Sequence, residues 1–152
     1  MKTFTLAGFA AFLGELAIEQ KAANHHALEH AAQIVEREAK RVIGTYDYGW
    51  PELSEYTKGD RESQGYEPDE PLLRTGEMRD SINHVVDEHN LVAHVGSDDM
   101  KAVWNELGTK HAPARSFLAG AAHEKEHEVV DHIGRIVHAS LVGPNNYKKD
   151  LF

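Results

Sequence analysis

No cysteine occurs in this sequence, which excludes a disulfide framework, a thiolate metal site and a thiol nucleophile together. Base is scarce relative to acid: 16 Lys and Arg stand against 25 Asp and Glu, a formal net charge of −9. A freestanding nucleic-acid binder needs a basic face to displace counterions, so this balance argues against one. It leaves room for a surface past which DNA slides, because like charge repels the backbone. Long apolar runs are missing as well, and none approaches the roughly 18–20 residues of a membrane span. The opening MKTFTLAGFAAFLG sets one Lys before an apolar run from Phe4 to Leu13, in the manner of a secretory leader. Its charged end is weak, no A-x-A site follows and Glu15 comes directly after, so it is expected to stay in the mature chain.

What is present is ordinary for a soluble globular protein: 41% hydrophobic and 27% charged residues. The length of 152 residues is expected to form one domain over 1–152. From about Phe9 to Val42 apolar residues recur at helical spacing, including Leu13, Leu16, Leu28, Val35 and Val42. Gly14 and Asn24-His25-His26 are places where this helix could bend or divide, and Gly44 is its expected stop. The segment from about 44 to 71 has no sustained period. Tyr46, Tyr48, Trp50, Tyr56 and Tyr66 lie there among Gly, Pro and acidic residues, which predicts a long aromatic-containing loop. Either it orders against a partner or its aromatics fasten it to the protein's own core.

Thr75 can cap a short helix from Gly76 to about Ile82. Strands follow at Ile82–Asp87 and Leu91–Val95, with a turn at Glu88-His89-Asn90. Ser97, Asp98 or Asp99 can start another short helix, which carries Val103, Trp104 and Leu107 and stops at Gly108. From Phe117 or Leu118 to Leu141 the spacing predicts one long amphipathic helix, ended by Gly143-Pro144 and followed by a loose tail over about 143–152. The expected class is α+β: a small hairpin-based antiparallel sheet packed with long N- and C-terminal helices and short helices between.

His123-Glu124-Lys125-Glu126-His127 matches H-E-x-x-H, which on a helix sets two imidazoles on one face with a Glu as base. A small zinc metallohydrolase built on this segment is therefore an alternative function. Three features weigh against it. Lys125 and Glu126 prefer water to a buried cleft. Val130 and Ile133 stand where the longer metzincin pattern needs Gly and His. No Glu follows Glu128 to supply a third ligand. With 11 histidines in the chain, pairs such as His26 with His30 are expected by coincidence. Ser81 and Ser116 lack a nucleophile-elbow setting, and no phosphate or dinucleotide fingerprint is present. The reading is of a protein that is not an enzyme, with no catalytic residue, no cofactor and no required metal.

The stretch from Leu72 to Ala122 holds two phrases, LLRTGEMRDSI and HVGSDDMKAVWNELGTKHAPARSFLAGAA. In their order they resemble the tailed-bacteriophage neck and tail-completion family, the tail-component proteins of siphoviruses and the virion-morphogenesis proteins of myoviruses. The likeness rests on L-x-x-T-G-x-M-R-x-S-I over Leu72–Ile82, V-G-S at Val95–Ser97, E-x-G-T at Glu106–Thr109, and P-A-R-x-F-L at Pro113–Leu118. Trp50-Pro51 with Leu53 and Thr57 resembles a W-x-x-L…T element of some relatives. One departure is Ala102-Val103-Trp104-Asn105, where the pattern has an aromatic followed by Ala.

The resemblance implies a structural virion protein, assembled in the host cytoplasm, that forms a homo-oligomeric ring at the head–tail junction. Such a neck ring, six-fold or a multiple of it, would join head-closure or connector proteins to tail-terminator proteins. DNA would traverse its channel without specific binding, and no membrane is involved. Another tail-tube or morphogenesis role is a further alternative. Candidate intersubunit or partner contacts are Arg79, Trp104, Glu106, Arg115, Trp50 and Tyr56, because Arg and Trp are favoured interface anchors. Arg115, flanked by small residues, could hold a carboxylate or helix-end carbonyls, with Glu106 as a candidate partner.

Overall fold

The computed structural model describes residues 5–142. The signal-like residues before Thr5, the Gly143-Pro144 stop and the tail to Phe152 lie outside the described residues. Among the described residues, six helices and one two-stranded antiparallel sheet make the α+β class expected from the pattern. In order they are α1 (Leu6–Val42), α2 (Glu55–Ser63), α3 (Glu77–Asp80), β1 (Ile82–Asp87), β2 (Val92–Ser97), α4 (Met100–Leu107), α5 (Phe117–Glu124) and α6 (Glu126–Val142).

Contacts within the chain gather into two compact units. The first comprises the described residues up to Ala31, Val86–Ala93 and those from His127 onward; the second comprises Ala32–Val85 and His94–Glu126. The first unit is held by Ala23, Ala27 and Ile136, with Ala22, Ile133 and Ala139 against them. Small residues on α1 let α6 come close here, and Ser140, fully buried, donates to the Gln20 side chain at 2.9 Å. The second unit has the larger core: Ala39, Val42, Ile43, Met78, Ile82, Ala102, Phe117 and Ala121.

Helix α1 runs for 37 residues without a break, about 55 Å at 1.5 Å per residue. Asn24, one expected interruption, is occupied by its own helix. Its side chain accepts from Gln20 at 2.8 Å instead of competing for the backbone. Gly44, in the left-handed region at φ 93°, ends the helix as expected and passes its N–H to Pro71 O at 2.8 Å.

Two expectations need correction. The 44–71 segment is not one long loop, for it contains α2. Ser54 caps this helix by accepting from Thr57 N at 3.2 Å, and Glu55 sits in its first turn. Arg61, its one buried residue, donates to the carbonyls of Glu67 and Leu73 and so ties the following turn down. The C-terminal helix is not continuous either, since Lys125 separates α5 from α6. No apolar side chain lies between Ala122 and Val129, so no buried stripe carries one helix across that charged run.

Smaller shifts follow the same logic. Strand β2 begins at Val92, because Leu91 turns into the left-handed region at φ 54°. The helix expected at 76–82 shortens to α3, entered through Gly76 at φ 86°, and has no side-chain cap at that position. Helix α4 matches its signals closely: Asp99 accepts from Lys101 N at 2.9 Å, and Gly108 stops it.

Candidate interaction surface

The candidate contact residues separate into an inward and an outward set. Arg115 is buried at the corner between α4 and α5. Its Nη2 donates to Pro51 O at 2.9 Å and its backbone N–H to Asn105 O at 2.7 Å. Glu106 does not pair with it. The Glu106 carboxylate accepts the backbone N–H groups of Leu118 and Ala119, both at 2.9 Å, so it caps the first turn of α5. An acid at a helix N-terminus satisfies orphan donors and the helix dipole together. Ser116 closes the corner by donating to Glu106 O at 2.8 Å. A side chain at Gly108 would meet Ala114 N at 2.7 Å, so the backbone there turns too tightly for a Cβ.

Trp50 also faces inward. It packs on the second unit's core and meets Tyr48 edge to face, with ring centroids 5.7 Å apart. Tyr48 in turn donates to the buried Glu38 at 3.0 Å. Burial and this carboxylate neighbour push the Tyr48 hydroxyl well above the usual tyrosine range. Arg41 donates to both Glu38 oxygens, at 3.0 and 2.7 Å, and holds the carboxyl below its ordinary value despite burial. Tyr46 donates to Asp69 at 2.6 Å, and the Arg74 guanidinium lies over the Tyr66 ring at 5.2 Å. Four of the five loop aromatics are thus fastened within the unit. Tyr56, on α2, is the exposed one.

Arg79, on α3, is half-buried with Nε 3.1 Å from Asp80. Trp104 is 55% exposed, and it does not stand alone. Met100, Val103 and Leu107 on the same helix are 59%, 46% and 75% exposed. Their spacing of i, i+3, i+4 and i+7 makes one apolar stripe facing solvent, while the residue α4 buries is Ala102. Beside the stripe runs a groove of about 520 Å³, lined by Leu72, Met78 and Trp104 and also by the charged Arg74, Glu77 and Lys101. Leu72 takes a left-handed backbone at φ 66°, a strained setting for a branched side chain that the surrounding packing must hold. The sequence places Val103, Trp104 and Leu107 on this helix but singles out only Trp104 as a contact, and it does not name Met100. The 3–4 spacing from Met100 was the available signal, though spacing alone cannot tell which face of a helix meets the core.

The H-E-x-x-H segment straddles the junction between α5 and α6. His123 is largely exposed and lies 3.9 Å from the Glu126 carboxylate. Lys125 interrupts the helical spacing on which the motif depends. Among the described residues no group of three His, Asp or Glu side chains is gathered to hold a metal ion. Among them also, no helix is long and apolar enough to cross a membrane. Compared with known protein families, with curated proteins and with solved structures, the chain matches none.

Proposed function

We propose that this chain is a structural virion protein that assembles into a ring at the head–tail junction of a tailed phage, joining head-closure and tail-terminator components. The observation that carries the reading is the solvent-facing stripe of α4. Exposed apolar patches of this kind mark surfaces that bind protein, and this one lies inside the stretch whose phrases resemble the neck family. The remaining phrase residues support it from behind. Phe117, Arg115, Glu106 and Gly108 build a fixed corner that holds α4 with its large side chains outward. A ring needs contacts that are head-to-tail and close by rotation, and a rigidly presented helix face suits one half of such a contact. The net charge of −9 fits a channel that DNA crosses without being captured.

Native mass spectrometry and negative-stain imaging of the purified chain test this directly, together with labelling of purified particles. The expected results are a closed oligomer of six-fold order or a multiple of it, and label at the neck. A chain absent from particles would end the proposal.

A further inference from the structure

A second apolar stripe with the same spacing lies at the start of α1, in the other compact unit. Leu6, Phe9, Ala10 and Leu13 stand at i, i+3, i+4 and i+7, all exposed, Leu6 by 88%. Residues 5–14 contain no charge at all, and the first acid in the chain is Glu15. A helical segment that is apolar and exposed needs a cover. We infer that the α1 stripe of one copy covers the α4 stripe of the next copy, a heterologous contact between two copies of this chain.

Size and charge both favour this occupant. Aligned in parallel, Leu6 faces Met100, Phe9 faces Val103, Ala10 faces Trp104 and Leu13 faces Leu107. The largest side chain meets the smallest, and the ring of Phe9 meets a compact valine, as interdigitating helices require. In the same alignment the exposed Asp98, just before α4, comes to the positive N-terminal end of α1. The exposed Glu15, just after the α1 stripe, comes to Lys110 and His111, just after the α4 stripe. The antiparallel alignment would instead bring Glu15 to Asp98 and Asp99, acid against acid. Two copies of a chain at −9 repel one another, so a contact between them belongs where acid is absent or matched. A face of two helical turns covers far less than the about 800 Å² per partner of a stable complex. One such contact is weak, and closure of many into a ring supplies the rest.

This deepens the ring reading by naming its surfaces and rests on that reading only for closure. The absence of cysteine makes the test clean, since no native thiol competes with an introduced one. The variants Ala10→Cys and Val103→Cys are mixed in equal amounts, treated with a short bismaleimide and separated on a denaturing gel, after circular dichroism shows that both remain folded. The expected result is a covalent dimer holding one of each variant, with neither variant dimerising alone. The double variant should give a ladder, and adding Leu107→Glu should cut the product about tenfold, the effect of one lost anchor. Dimers of Ala10→Cys alone would overturn the inference, as would a double variant that links only within its own chain. A ladder without closed rings keeps this contact and discards the ring. Closed rings without the mixed product keep the ring and discard this contact. Monomers with no mixed product discard both.

Discussion

Helices α4 and α5 are of equal length and neighbour one another in the same unit, yet they distribute side-chain size in opposite ways. Helix α5 turns Phe117 and Ala121 fully inward. It lies so close to Tyr48 that a Cβ at Gly120 would stand 2.5 Å from the ring. Helix α4 buries Ala102 and sends Met100, Val103, Trp104 and Leu107 out to water. Folding favours the first arrangement and is indifferent or opposed to the second. The contrast separates a helix whose large side chains stabilise the unit from one whose large side chains lie outside its packing. The most forceful way to break that contrast is at Phe117. Truncating it to Ala should cost about 3–5 kcal/mol, the range for a fully buried aromatic, read as a drop in the urea midpoint. A loss under about 1 kcal/mol, the scale of a surface change, would mean that α5 does not anchor the core and the comparison fails.

The seat beneath α5 offers the next test. Tyr48 is fixed by its bond to Glu38, whose carboxyl Arg41 holds below the ordinary value of 4.5. A folded-state value below the unfolded one means that the native state resists protonation here. The stabilisation is complete above the unfolded value and drains away as pH falls through the depressed folded one. Glu36 adds to the same trend. Burial raises its carboxyl, but the bonds from Lys40 and His84 outweigh that and leave it lowered. The Glu38→Gln variant should lose about 1–2 kcal/mol at pH 7, since Arg41 is half exposed and partly screened. At an acid pH below the depressed folded value, where the wild type has also lost this term, the two proteins should converge. Urea titrations at the two pH values decide it, and a gap that stays constant with pH would show that Glu38 acts through packing rather than charge.

These two tests concern residues that the sequence revealed unequally. The C-terminal end of α1 and both ends of α4 were legible because their signals are local: Gly44, Asp99 and Gly108 act on the backbone beside them. Helix α2 was not, because its nine residues bury only Arg61 and so show no apolar period. Its cap, Ser54 followed by Glu55, was the signal that could have found it. The break at Lys125 escaped for a related reason, since helical propensity runs on through the charged segment while the packing that would use it stops. At the candidate surface the residue types were right to draw notice, but their direction was hidden. Arg115 and Glu106 look like an ion pair in the sequence, yet one holds Pro51 O and the other caps α5. Both partners are backbone groups distant along the chain, which only the fold brings into reach.

The smallest expected effect on stability is also the sharpest for the comparison. Leu107 is a large apolar residue like Phe117, but 75% of it meets solvent where Phe117 meets none. Replacing Leu107 with Gln keeps the helix-forming straight chain and removes only exposed apolar surface. The urea midpoint should move by no more than about 0.5 kcal/mol in free-energy terms. If the proposed ring forms, sedimentation of the same sample should show the variant failing to assemble at concentrations where the wild type does. A variant that kept its assembly and lost its stability would reverse the roles assigned to the two helices. Stability unchanged and assembly lost would leave α4 with a function that folding does not explain, because hydrophobic surface kept in water by an otherwise well-packed unit is there to be covered by something else.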